Sequence, residues 1–321
     1  MKNETYFLGV ETSCDETSVA VVSGYGDILS NVIASQIDIH ARYGGVVPEI
    51  ASRNHVGAIV PCFNEALKIA GIKSGDITAV CATTEPGLPG AVMVGRVFGA
   101  SLANALNVPF KQINHIAGHI ASVFLSNKNL VPPCLAVVVS GGHTSIYEVD
   151  GKFNASLLAA TQDDACGEAF DKVAKVLGLE YPGGPKVSKI AEEYEGELMR
   201  FTQTNFLKTE ISFSGLKTAV LNYVNTKKQK GEEIDLPFIC SSFEAEAIEQ
   251  LITKIGQYIR KTGIKTVCLC GGVSANWRLC AAAEKVCKAF GARLYLPAAE
   301  LTGDNGAMIA GAGLLGITLL T

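Results

Sequence analysis

In the stretch Tyr6-Phe7-Leu8-Gly9-Val10-Glu11-Thr12-Ser13-Cys14-Asp15-Glu16-Thr17-Ser18-Val19-Ala20-Val21-Val22, two apolar runs of strand length flank a turn with three carboxylates and three hydroxyls. A hairpin turn ordinarily uses Gly or Asn and has no need of this density of acid. The turn reads either as a solvated hairpin or as a substrate or phosphate loop in which Asp15 or Glu16 accepts a proton.

Outward from this hairpin, residues 28–34 form a third strand. Pro48 opens a helix over 48–70, with Ile50, Val56, Ile59, Val60, Phe63 and Leu67 at helical spacing. A strand at 78–83, a helix at 91–106 and a strand at 108–113 follow. A second series starts with a buried strand at 135–139, the turn Ser140-Gly141-Gly142-His143-Thr144, a strand at 145–149, and a further strand after Asp150-Gly151. Helices at 167–177 and 241–261 lead to a strand at 265–270, a helix at 276–290, a strand at 293–296 and a last helix from Asp304. The same plan occurs twice without repeating letters. It predicts an α/β, duplicated two-lobed fold of the actin, hexokinase and Hsp70 kind with an interlobe cleft. The lobes are expected at 1–112 plus 305–321 and at 113–304. Two unrelated α/β domains are the alternative.

The bulk properties narrow the function. A chain of 321 residues exceeds one ordinary core and suits two lobes. A net charge of −4 does not announce a nucleic-acid partner, so any such contact needs a local patch or a partner subunit. The ten cysteines form no C-x-x-C pair and fall mostly in apolar runs, which reads as reduced buried thiols in the cytoplasm. Lys2 followed directly by a strand pattern argues against a signal peptide, and apolar stretches are broken before membrane-spanning length, so no membrane partner is expected.

His115 and His119 stand at i and i+4, which on a helix places both imidazoles on one face, ready for one ion. The alternative is one exposed and one core histidine. A third ligand is required, and Asp304 is the candidate, although an N-cap role would also explain an Asp there. Ile116 occupies the position of the general base in the H-E-x-x-H protease motif, which argues against peptide hydrolysis. Paired glycines at Gly141-Gly142 and Gly271-Gly272 suit an anion near backbone N–H groups. Pro182-Gly183-Gly184-Pro185 reads as a rigid turn, and Lys227-Lys228-Gln229-Lys230 as a solvated loop.

Taken in order, several motifs resemble the universal tRNA threonylcarbamoyladenosine-forming transferase family, bacterial-type catalytic subunit, formerly labelled O-sialoglycoprotein endopeptidase. They are Gly9 to Thr17, His40 to Glu49, Ala51-Ser52-Arg53-Asn54-His55, the histidine pair, Val139 to Thr144, Gly167 to Lys172, Tyr181 to Pro185, Phe213 to Ala219, Gly271 to Asn276 and Asp304 to Ile309. The resemblance runs essentially end to end. It implies that His115, His119 and Asp304 bind one divalent ion, Fe2+ or Zn2+, and that Asp15 lies near the reacting centre. It implies that Val138, Val139, Ser140, Gly141 and Gly142 line the substrate site, with His143 in the same turn. Asp171, Gly184 and Asn276 would contact a nucleotide. The implied donor is threonylcarbamoyl-AMP and the implied acceptor an adenosine in a tRNA anticodon loop. A paralogous subunit and a small ATPase are the implied partners. Two positions depart from the family: Thr302-Gly303 replaces Cys-Thr before the metal Asp, and Ser188 replaces a carboxylate.

Two other functions remain open on sequence. One is a small-molecule kinase or carbamoyltransferase of the same fold, against which Glu11-Thr12-Ser13 counts, because kinases of this fold carry Asp-x-Gly there. The other is a nucleotide-binding regulator without chemistry.

Overall fold

A computed structural model of the chain describes residues 4–320. The inference drawn from Lys2 lies outside them. The opening hairpin is β1 (Tyr6–Glu11) and β2 (Glu16–Ser23), paired antiparallel, with β3 (Ile28–Ser35) antiparallel on β2. After α1 (Ile37–Ala41) and α2 (Pro48–Ala70) come β4 (Ala79–Glu85), α3 (Pro89–Leu106) and β5 (Phe110–Asn114). β4 runs parallel to β1 and β5 parallel to β4, giving the order β3-β2-β1-β4-β5.

The strand period places Leu8, Val10, Val19 and Val21 in one buried cluster, with Ile59, Ala66 and Leu67 of α2. Ala20, Val22 and Phe7 face a second cluster, with Ala307 and Ala310. Burial on both faces is why these strands read as continuous apolar runs. Pro48 and Pro89 start α2 and α3, where a missing N–H costs nothing, and Gly71 and Asn107 end them in the left-handed region.

The chain continues through α4 (His115–Ser126), β6 (Cys134–Val139), β7 (Thr144–Val149), β8 (Asn154–Ala160), α5 (Cys166–Val176), α6 (Gly183–Ala191), α7 (Ser214–Lys230) and α8 (Leu236–Thr262). It ends with β9 (Thr266–Cys270), α9 (Trp277–Ala289), β10 (Arg293–Tyr295), α10 (Gly306–Leu315) and β11 (Thr318–Leu320). The second sheet has the order β10-β9-β6-β7-β8-β11. Its five strands β8-β7-β6-β9-β10 repeat the order of the first sheet, so the duplication expected from sequence is present in the topology.

Two compact units result. One runs to Pro132 and takes in Val149–Ser156 and the chain from Leu296 onward; the other is Pro133–Glu148 with Leu157–Tyr295. The expected boundaries at 112 and 305 fall elsewhere because α4 packs along α10, and α10 in turn packs on β1 and β2. That packing requires glycine twice. A Cβ at Gly9 would overlap the Gly306 carbonyl oxygen, and one at Gly306 would meet the Ala20 amide. The close approach fixes where the segment carrying Asp304 enters the first unit.

Two local expectations are corrected. Pro182 to Pro185 is not a free-standing turn: Pro182 is the N-cap of α6 and the other three form its first turn. Proline is tolerated there because first-turn N–H groups have no intrahelical acceptor. The lysines Lys227, Lys228 and Lys230 form the last turn of α7, where positive charge meets the negative end of the helix dipole and Gly231 closes the helix at φ 67°. No helix among the described residues is long and apolar enough to cross a membrane.

Candidate active site

α4 is buried from His115 through Leu125. Asn114 caps it, its side chain accepting from the Ile116 amide at 2.9 Å, and this sets the first turn in which His115 stands. The two imidazoles lie on one face with ring centroids 4.7 Å apart. Asp304 Oδ1 lies 3.5 Å from His115 Nε2 and 3.4 Å from His119 Nε2. Asn305, not Asp304, is the N-cap of α10: its side chain accepts from the Met308 amide at 3.0 Å. The capping duty that would have explained an Asp at 304 belongs to its neighbour. Thr302, at the first family departure, donates its hydroxyl to the Ala299 carbonyl, and Gly303 accepts from the Asn305 amide group.

These three side chains fit a divalent ion. Among the described residues they offer one ligand atom each, all within 4.8 Å of one another. Separations near 3.4 Å are those of neighbouring corners around a tetrahedral ion with bonds of about 2.0–2.1 Å. Both nitrogens of His119 are buried without a hydrogen-bond partner among the described residues, a costly arrangement that a bound cation at one of them would relieve. Two imidazoles and one carboxylate suit zinc or iron better than magnesium or calcium.

Glu11, which the sequence reading placed in the acid turn without a role, lies directly beneath this set and is 0% exposed. Its Oε2 is 3.0 Å from His115 Nδ1 and accepts from the Thr83 hydroxyl at 2.5 Å; its Oε1 accepts from the Ser13 amide. A carboxylate only accepts, so His115 carries its proton on Nδ1 and turns Nε2 toward Asp304 and His119. Burial works against a charged imidazole, but the Asp304 and Glu11 carboxylates outweigh it and raise the His115 pKa to about 9. The carboxylate at the end of β1 was visible in sequence; its pairing with a histidine in α4 was not.

The acid turn is not a solvated hairpin: Thr12, Ser13 and Asp15 are buried. Thr12 donates to the Ala91 carbonyl and accepts from the Gly95 amide, which pins the turn on α3. His55 Nε2 lies 3.0 Å from the Cys14 carbonyl and its Nδ1 2.7 Å from the Thr17 hydroxyl. His55 is thus the Nε2–H tautomer, and burial keeps its pKa below the usual value. Glu16 Oε1 accepts from Ser35 at 2.8 Å, while Oε2 is buried without a hydrogen-bond partner among the described residues. Burial raises its pKa to about 7 against the Ser35 hydrogen bond, with Asp15 and Asp304 adding repulsion. A carboxylate poised near neutrality suits proton transfer.

The second unit holds a cavity of about 420 Å³. Of the residues expected to touch substrate or nucleotide, Gly141, Asp171, Gly184 and Asn276 line it together. Val138, Val139, Ser140, Gly142 and His143 are not among its lining. Val138 and Val139 are buried strand residues of β6, so only their backbone is available to a ligand. Asp171 Oδ1 accepts from the Gly183 amide at 2.7 Å and the Gly184 amide at 3.4 Å, holding the start of α6. Asn276 caps α9, its Oδ1 accepting from Leu279 and its Nδ2 donating to Ser188 and Glu244. Ser188, the second departure, is therefore tied to Asn276 at 2.9 Å.

Residues 27–311 match the family described as tRNA N6-adenosine threonylcarbamoyltransferase (TsaD). A protein of that name from Clostridium perfringens (strain SM101 / Type A) is 42% identical over 97% of this chain and 92% of its own length. Among solved structures, T. kodakarensis HypF is similar with a TM-score of 0.64 at 15% identity, over 98% of this chain and 48% of that one. The Acidaminococcus fermentans (R)-2-hydroxyglutaryl-CoA dehydratase component A has a TM-score of 0.57 at 15% identity, over 97% and 96%. At such identity these two likenesses show the fold alone, the α/β architecture of the actin, hexokinase and Hsp70 group.

Proposed function

Because the chain belongs to the tRNA N6-adenosine threonylcarbamoyltransferase family, we propose that it carries a threonylcarbamoyl group from threonylcarbamoyl-AMP to N6 of adenosine 37 in tRNAs reading codons that begin with A. The structural observation that carries this reading is the presence, within one unit, of the His115, His119 and Asp304 donor set and of the partly buried Glu16 carboxylate in the acid turn. The N6 amine attacks the carbamoyl carbonyl carbon; the new carbon–nitrogen bond forms as the bond to the phosphate oxygen breaks, and AMP leaves with that electron pair. The amine is a poor nucleophile, its lone pair being delocalised into the ring, so its proton must depart as the bond forms. Glu16 or its neighbour Asp15 receives it.

His115, His119 and Asp304 would hold one Fe2+ or Zn2+ ion, which when bound supplies Lewis-acid chemistry and neutralises phosphate or carboxylate charge. The chain's own work is orientation: Glu11 fixes the His115 ring, and the backbone around Gly141 and Gly142 offers N–H groups to the adenylate. The acceptor base is unpaired in an anticodon loop and needs no extraction from a duplex. A chain of net charge −4 suits help from a paralogous subunit and a small ATPase in holding tRNA.

The test is incubation with threonylcarbamoyl-adenylate and unmodified tRNA, with and without such partners, followed by nucleoside analysis. Threonylcarbamoyladenosine is the expected product; release of AMP without it would sink the reading. His115→Ala is expected to lose metal and transfer while keeping its fold. Normal turnover by a metal-free His115→Ala protein would refute the metal's role. A small-molecule kinase or a non-catalytic regulator of the same fold is not favoured by the family to which the chain belongs.

A further inference from the structure

The chain has a single tryptophan, Trp277, and it is not in a core: it stands at the first position of α9, 57% exposed, on the lining of the 420 Å³ cavity. It is nevertheless held in place. Its indole N–H donates to Glu192 Oε1 at 2.5 Å, from the end of α6, and the Arg278 guanidinium sits 5.6 Å from its ring centroid. Arg278 is itself anchored, donating to Glu244 Oε2 at 2.9 Å and to the Ala191 carbonyl at 2.9 Å. A large aromatic ring has thus been fixed in orientation without burying its surface. Such an arrangement does little for stability and much for a planar ligand, because the ordering cost of the ring is already met before binding.

The rest of the cavity has a matching shape. Phe170 and Tyr181 add aromatic lining, while Gly141 and Gly272 leave open space where side chains would stand. The lining thus combines aromatic rings with exposed glycine backbone of the kind that approaches anions. A purine nucleoside monophosphate has a partner for each chemistry, and the cavity lies within the usual volume range of small-ligand sites, about 300–1,000 Å³.

We propose that Trp277 is the stacking platform for the adenine ring of the adenylate, with Glu192 and Arg278 as the residues that hold its plane. This deepens the transferase reading and rests on it for the identity of the ligand. Adenine chemistry could reach the cavity from two sources, the small adenylate or the acceptor adenosine of the RNA; a volume of about 420 Å³, the size of a small-ligand site, favours the first.

The sole tryptophan makes the test direct. AMP is titrated into the full chain with tryptophan fluorescence and calorimetry read in parallel, and an unmodified anticodon stem-loop is titrated separately. AMP should quench the fluorescence with the same midpoint as the heat signal. Trp277→Ala should weaken AMP about tenfold or more, and Trp277→Phe should recover part of that loss, since stacking on any aromatic ring is substantial and an aromatic face is retained. Stem-loop affinity should be unchanged. Equal AMP affinity in wild type and Trp277→Ala, or no AMP binding by the wild type, overturns the proposal. So does loss of stem-loop binding with AMP binding intact, which would assign the platform to the acceptor. If AMP quenches and Trp277→Ala weakens it while the wild type modifies no tRNA, the transferase reading fails and the platform stands. If the wild type transfers and Trp277→Ala leaves KM for threonylcarbamoyl-adenylate unchanged, the platform fails and the transferase reading stands.

Discussion

Glu11 shows how much of the site is decided by single contacts. Its carboxylate is not one of the three candidate donors, yet it fixes the tautomer and ring plane of His115. Glu11→Gln keeps the volume and removes the charge, and a side-chain amide presents N–H as readily as oxygen to Nδ1. Affinity for Zn2+ is expected to fall about 10–100-fold, the usual effect of losing such a support, with the fold intact by circular dichroism. Unchanged zinc affinity would show that Nδ1 needs no carboxylate. Glu16 yields a prediction about pH. Its pKa rises from the ordinary 4.5 to about 7 on folding, chiefly through burial. The folded state therefore keeps a proton that the unfolded state releases between these values. The stability gained from that proton is complete below about 4.5 and is lost as pH climbs through about 7. In metal-free protein, Glu16→Gln should flatten the fall in melting temperature over that window. An equally steep fall in the variant would remove burial of this carboxyl as its cause.

At the scale of elements, local sequence rules accounted for most of what forms. The continuous apolar runs in Tyr6–Glu11 and Glu16–Ser23 defined two strands, because both sheet faces are apolar. Pro48 opened α2 and the helix ended at Ala70 as expected, with Gly71 closing it in the left-handed region. Where the reading failed, a tertiary partner had replaced a local signal. Pro182 to Pro185 looks like a turn by composition, but Asp171, from another helix, accepts the Gly183 and Gly184 amides and lets a helix begin there. The contact between α10 and β1 makes its own prediction. Gly9→Ala would press a methyl group onto the Gly306 carbonyl, so α10 must shift. Overpacking of this kind typically costs about 1–3 kcal/mol. A drop in chemical-denaturation midpoint together with weaker zinc binding is expected, because Asp304 rides on the segment entering α10. Loss of stability with zinc affinity intact would mean the segment before α10 is positioned independently of the helix.

For the whole molecule, the candidate metal set draws its donors from distant parts of the chain. His115 and His119 come from the middle of the sequence and Asp304 from its end, and all three belong to one unit. An ion that binds this set and not the unfolded chain should stabilise the protein by about 2.7 kcal/mol at a hundredfold excess over its dissociation constant. Adding a chelator to metal-loaded protein should lower the melting temperature, and His119→Ala should abolish that response. A melting temperature indifferent to chelator would argue that the cluster is an ion pair of imidazolium and carboxylate. The sequence by itself determined most of the strands, the helices α2, α3, α8 and α9, the repeated plan and the i, i+4 histidine face, because each depends on neighbours a few residues apart; α7 it missed. It also carried enough motifs for the family to be recognised. Only the tertiary structure decided that Glu11 underlies His115, that Asn305 rather than Asp304 caps α10, and that α4 belongs with the first sheet. Only it showed that Trp277 is fixed on a cavity lining. Those features rest on contacts between residues far apart in the chain, and hydrophobic period and helix caps say nothing about which distant elements will meet.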